Sequence, residues 1–189
     1  MPIKLKGATS GDITLDVPAT AGTNTLTLPA ATGTVAASTA TTTFTATQTF
    51  NGSSSSLAMI INDAAENCTI SATAATGTIN YDVTTQAVLY YTTNASANWT
   101  VNFRASSGTS LNTVLATGQS VTVAFLVTQG ATPFYNSAVQ VDGAPVTPKW
   151  QGGFAPTAGN ANSVDIYTYT IVKTTSATYT VFASQTRFA

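Results

Sequence analysis

From Leu57 onward the chain is a run of short segments in which apolar and polar side chains alternate, cut at close intervals by turn residues. Val121, Val123 and Phe125 alternate with Thr122 and Ala124. Further on, Val164, Ile166, Tyr167, Tyr169 and Ile171 are interleaved with Asp165, Thr168 and Thr170, with one slip at Ile166-Tyr167. Successive strand residues point to opposite faces, so a period of two predicts half-buried strands. Ten segments read this way: 59–62, 68–72, 77–83, 87–91, 99–104, 120–127, 135–141, 146–150, 163–172 and 178–188. Between them lie Ala-Thr-Gly, Thr-Asn-Ala-Ser, Asp-Gly-Ala-Pro and Thr-Ala-Gly-Asn, which is turn chemistry. No segment keeps a helical period. The expectation is an all-β domain over residues 57–189, an antiparallel β-sandwich of jelly-roll type.

Charge narrows the functions open to such a domain. Only 7% of residues are charged and the net charge is −1, against about a quarter charged in an ordinary soluble domain. Neither an electrostatic grip on nucleic acid nor attraction to an acidic membrane is expected. Solubility falls to Thr, Ser and Asn, and sheet edges lack the lysines that usually blunt them, so association is expected. No apolar run reaches the roughly 18 residues that cross a bilayer. MPIKLKG is followed by no apolar stretch, so no secretory leader is expected and synthesis in a cytoplasm is.

Residues 1–35 read differently. Gly11, Gly22 and Gly33 recur at a spacing of eleven, as do Thr14 and Thr25, Leu15 and Leu26, Val17 and Leu28, Pro18 and Pro29, Ala19 and Ala30. Glycine permits positive φ and proline ends a short strand, so each unit is one strand and one turn, too small to bury its own apolar face. The expectation is an extended N-terminal docking arm that pairs by strand addition with a partner, using Ile13, Leu15, Val17, Leu26, Leu28 and Pro29. Residues 36–56, rich in Ala, Thr and Ser and interrupted by Phe44 and Phe50, read either as a flexible linker or as an extended strand packed in an assembly.

The segment GATSGDITLDVPATAGTNTLTLPAATGTV resembles one that recurs in tail-fibre and other virion proteins of tailed bacteriophages, particularly those of cyanobacteria. AENCTISATAATGTINYDVTTQAVLYYTTNASANWTVNFR, TPKWQGGFAPTAGNANSVDIYTYTI and FASQTRFA resemble a terminal domain found in the same company. The resemblance implies a virion structural protein, assembled in the host bacterium and usually homotrimeric, with other tail or capsid proteins as partners. Long fibres carry many repeats or a coiled shaft and this chain has neither. A short tail fibre or tip therefore fits the length better, with a capsid decoration protein as the alternative.

Candidate sites are few. With no histidine and one cysteine, Cys68, Ser-His and Cys-His triads are excluded, and no catalytic, cofactor or metal site is assigned. Asp63 and Glu66 could hold a hard cation, but their spacing matches no calcium loop and a solvated turn is the simpler reading. Asp142 precedes Gly143 in an expected turn, and Cys68 reads as a small buried hydrophobe. Trp99 is expected in the core, because aromatic rings supply large buried area. Trp150, Tyr135 and Phe154 flank polar loops. There they would anchor a subunit interface or, in a glycan-binding adhesin, stack on sugar rings of a host surface.

Overall fold

A computed structural model describes residues 3–6, 9–15, 23, 44 and 47–188. The chain divides into two units, Met1–Ile60 and Ile61–Ala189.

In the first unit β1 (Ile3–Lys6) and β2 (Asp12–Leu15) pair antiparallel, with Ile3 opposite Leu15 and Leu5 opposite Ile13. Gly11 takes φ 81° just before β2, the positive φ that the repeat assigned to it. The backbone of Ile13 and Leu15, two of the expected partner-binding positions, is thus engaged on one side by the chain's own first strand. The sequence reading did not foresee that pairing. Val17, Leu26, Leu28 and Pro29 lie outside the described residues. Residues 59–62, expected as a strand, belong to none, and Leu57, Met59, Ile60 and Ile61 are exposed.

The second unit is all-β. Its strands are β3 (Cys68–Ala74), β4 (Gly77–Asp82), β5 (Val88–Thr93), β6 (Trp99–Arg104), β7 (Ser120–Thr128), β8 (Asn136–Val141), β9 (Ala144–Val146), β10 (Lys149–Trp150), β11 (Val164–Thr175) and β12 (Thr178–Phe188). A single helical turn, α1 (Leu111–Val114), and a 3-10 turn (Gln151–Gly153) interrupt them. The strands form two sheets, of order β10-β12-β11-β7-β5-β3 and β4-β6-β8-β9.

Both sheets are mixed, which corrects the antiparallel expectation. β3, β5 and β7 run parallel in the larger sheet, and β4, β6 and β8 run parallel in the smaller. The reason lies in the connections. From β3 to β8 each strand enters the sheet that its predecessor did not, so two reversals separate neighbours within a sheet. The link between β3 and β4 is only Ala75-Thr76; Ala75 is fully buried, and Gly77 takes φ 59°. That corner turns the chain out of the sheet plane instead of folding it back within it. Parallel neighbours rule out the pair of antiparallel Greek keys that define a jelly roll. Antiparallel hairpins occur where the chain stays in one sheet. Between β8 and β9 the turn is Asp142-Gly143, with φ of 52° and 81°, the residue pair that a type I′ turn favours.

The sheets face each other across an aromatic core. Trp99 of β6 meets Phe125 of β7 and Tyr167 of β11 edge-on, at centroid distances of 6.1 and 5.6 Å. Phe103 lies 4.9 Å from Tyr169, and Tyr81 6.5 Å from Phe125. The edge-to-face pairs, those of Trp99 and that of Tyr81 with Phe125, place the positive ring edge on the negative face and add to simple burial, while Phe103 and Tyr169 are tilted at 60°.

The β11–β12 turn is Ser176-Ala177, and Ala177 sits at φ 51°, where a Cβ is unfavourable. Ala177→Gly is expected to raise the unfolding free energy by about 0.5–1 kcal/mol, measured by urea titration. An unchanged midpoint would count against strain at this turn.

Candidate functional site

β10 is two residues long and lies parallel to β12, placing Trp150 opposite Ala183. Trp150 is not a loop tip. Its ring is half-buried, 6.2 Å from that of Tyr169, and packs on the core. Beyond it Gly152 and Gly153 take φ of 76° and 84°, so the chain reverses at once and displays Phe154, which is 85% exposed. The result is an open depression of about 340 Å³ lined by Trp150, Gln151, Phe154, Pro156, Gln185 and Arg187, among others. A second depression shares Trp150, Ala155 and Pro156 with it, and a third shares Trp150 and Gln151 and includes Lys149. Trp150 and Phe154 therefore come together. Tyr135 does not join them: it is half-buried elsewhere, its amide donating to Asn98 Oδ1 at 3.1 Å.

A polar network behind this depression holds its wall. The Gln185 amide nitrogen lies 3.0 Å from Tyr167 Oη, 3.1 Å from the Ala158 carbonyl and 3.3 Å from Asp165 Oδ2. Arg187 Nη2 donates to the same Ala158 carbonyl at 2.8 Å. Asp165 is fully buried. Its Oδ2 also accepts from the Gln129 amide and from the Asn160 N–H, both at 3.1 Å, while its Oδ1 has no hydrogen-bond partner among the described residues. Burial pushes the Asp165 carboxyl above the usual carboxylate range, against the hydrogen bonds of Asn160, Gln185 and Gln129 and the charge of Arg187. Gly159 is wedged over this network, and a Cβ there would strike the Phe134 carbonyl and lie 2.8 Å from Asp165 Oδ2. Residues 155–163 are thus clamped from beneath. The sequence reading missed Asp165 because it placed a slip at Ile166-Tyr167. In the structure the alternation is unbroken, with Asp165, Tyr167, Tyr169, Ile171 and Lys173 all inward. Counting back by twos from Tyr169 would have found it.

The other carboxylates are placed as follows. Asp63 and Glu66 are exposed. Asp82 pairs with Arg104 across β4 and β6, Oδ1 to Nε 2.5 Å. Asp142 accepts from the N–H groups of Leu111 and Asn112, at 2.6 and 3.0 Å, at the start of α1. At its other end the buried Lys173 ammonium donates to the Asn112 and Leu115 carbonyls, at 2.7 and 2.8 Å. Charges of these signs suit the two ends of a helical turn. Lys173→Met leaves both carbonyls without their donor and is expected to lower the unfolding free energy by about 1–3 kcal/mol. Amide hydrogen exchange should speed up first at residues 113–115; unchanged protection there would refute this capping role.

The outward face of the larger sheet is the remaining candidate. One transverse row runs Cys68, Val88, Ala124, Thr168, Ser184, and the next Ile70, Tyr90, Leu126, Ile166, Thr186. Over β3, β5, β7, β11 and β12 no outward position is charged; Asp165, Lys173 and Arg187, the charged residues of those strands, occupy the inward phase. Cys68 is exposed at the end of its row, which corrects its reading as a buried hydrophobe. It sits on an edge strand at an outward position, and a one-residue motif carries no phase information.

Comparison with family models, with characterised proteins and with solved structures finds no match to this chain.

Proposed function

We propose that this chain is a non-enzymatic structural protein of a tailed-bacteriophage virion, exposed on the particle surface. Within that class a short tail fibre or tip protein, anchored through residues 1–35 and trimeric in the assembled particle, is favoured over a capsid decoration protein. The observation that carries the assembly role is the charge-free outward face that β3, β5, β7, β11 and β12 present in the larger sheet, with Lys149 of the short β10 at its border. A subunit or neighbouring virion protein can cover it without desolvating a single charge, and burial of unpaired charge is what most opposes docking. The resemblance of the N-terminal segment and of the stretch around Trp99 to virion proteins supplies the class.

Cryo-electron microscopy of labelled particles tests the reading. Density for the chain on the tail, at tens of copies, supports a fibre or tip; hundreds of copies on the head support decoration (copy numbers of this order follow from particle symmetry). Absence from purified particles refutes both. Cys68 gives a simpler assay. In the isolated chain its exposed thiol is expected to react readily with a thiol reagent, whereas assembly that covers the face protects it.

A second reading is favoured by the depression at Trp150. The exposed Phe154 ring beside the amides of Gln151 and Gln185 and the guanidinium of Arg187 is the kind of surface on which a sugar stacks and exchanges hydrogen bonds, so the module also reads as a glycan-binding adhesin.

A further inference from the structure

We infer that residues 57–61 of one copy of this chain add as a strand to the free edge of β3 in a second copy. This rests on the assembly role proposed above and names the partner and the two surfaces that meet.

The segment is one half of the fit. Leu57, Met59, Ile60 and Ile61 are each between 51% and 81% exposed. Residues 59–62 carry a strand pattern in the sequence, yet the single chain pairs them with no strand. Residues 17–62 contain no charged residue, so charge does nothing to keep this stretch in water. Four large apolar side chains displayed within five residues are a surface that association covers. Isoleucine is β-branched and suits an added strand.

The edge of β3 is the other half. Among the described residues, the two sheets of the second unit end on β3, β4, β9 and β10, and three of these edges are guarded. β9 contains Pro145, β10 is two residues long and carries Lys149, and β4 ends on Asp82. β3 has neither charge nor proline. Its register with β5 runs unbroken from Cys68 to Ser71 and shifts only beyond, so a regular stretch about as long as the segment lies along the free edge. Ile70, in that stretch, is 69% exposed and continues into the uncharged row of Tyr90, Leu126 and Ile166. An added strand gains backbone hydrogen bonds from the edge and apolar contact from Ile70. Asp63 and Glu66 are exposed on the link between segment and β3, outside both surfaces. Segment and edge are uncovered in the single chain, which leaves each free to serve a different copy. Such a contact is heterologous, and three of them close a ring of the trimeric order proposed above.

Sedimentation equilibrium of the full chain tests this with Ile60→Asp and Ile70→Asp. Both side chains are exposed, so folding is not at stake, and circular dichroism checks it. The native chain is expected to assemble at micromolar concentration. Each variant alone should need a concentration about a hundredfold higher, because the contact would bury an unpaired carboxylate. Mixed, the two variants retain one intact contact, between Ile60 of one and Ile70 of the other, and are expected to form a one-to-one pair where neither associates alone. A native chain that stays monomeric at about 0.1 mM overturns the inference. Assembly indifferent to either substitution also overturns it, leaving a trimer that rests on other surfaces. Variants that fail both alone and mixed point to a symmetric contact and overturn the pairing of segment with edge. The virion assignment is judged separately by particle imaging.

Discussion

Replacing Trp99 with alanine is expected to lower the unfolding free energy by about 3–5 kcal/mol, the range for removing a large aromatic side chain from a packed core. Total stabilities of single domains are only about 5–15 kcal/mol, so a measurable unfolded population should appear at room temperature. The effect is large because the indole is shared: it is 1% exposed and touches rings from two strands of the opposite sheet. Removing it leaves Phe125 and Tyr167 facing a void that the rigid sheets close only in part. The indole nitrogen has no hydrogen-bond partner among the described residues, so Trp99→Phe, which keeps a ring and drops that N–H, should cost about 1–2 kcal/mol. Urea titration of both variants decides the matter. A loss below about 1.5 kcal/mol for alanine would mean that the sheets are not held together here.

The second large effect belongs to Asp165. Asp165→Ala removes the acceptor shared by Gln129, Gln185 and the Asn160 N–H, and stranded buried donors are expensive, so a loss of about 3 kcal/mol is expected. Asp165→Asn keeps one oxygen for those donors and should cost about 1 kcal/mol. The two also differ from the native chain in pH dependence. Because burial raises the folded carboxyl above its unfolded value, the folded state holds the proton more tightly. The stability this group contributes is full below the unfolded value, about 3.9, and is lost as pH rises through the folded one. Asp165→Asn should therefore flatten the fall in stability above pH 4. Urea midpoints measured from pH 4 upward give the comparison, and parallel curves for the native and Asn chains would exclude a raised carboxyl.

Why some of this was legible in the sequence follows from particular residues. The 99–104 and 178–188 readings coincide with β6 and β12 because β-branched and aromatic residues alternate there between clear turns. Trp99 belongs in the core because an aromatic ring supplies large buried area. The order of strands was not legible, since a period of two fixes which side chains face inward but not which neighbour a strand takes. Ala75-Thr76-Gly77 reads as turn chemistry, and the turn it makes is a corner between sheets. Residues 146–150 read as one strand. They are two, in different sheets, divided at Thr147-Pro148, where proline has no N–H to give a ladder. At the candidate site Trp150 and Phe154 were recognisable as aromatic residues beside glycines. Gln185 and Arg187 were not, because they reach the depression only through the pairing of β12 with β10.

The zigzag of the chain between its two sheets also dictates the order in which it can acquire structure. β11 and β12 form a long hairpin from adjacent sequence, whereas β5 has no partner on either side until β3 or β7 arrives from across an intervening strand of the other layer. The C-terminal hairpin is thus the natural nucleus, with the front half condensing onto it late and in one step. Mutations in β11 and β12 should slow refolding, while those in β3 to β6 should chiefly hasten unfolding, a division that φ-values read directly.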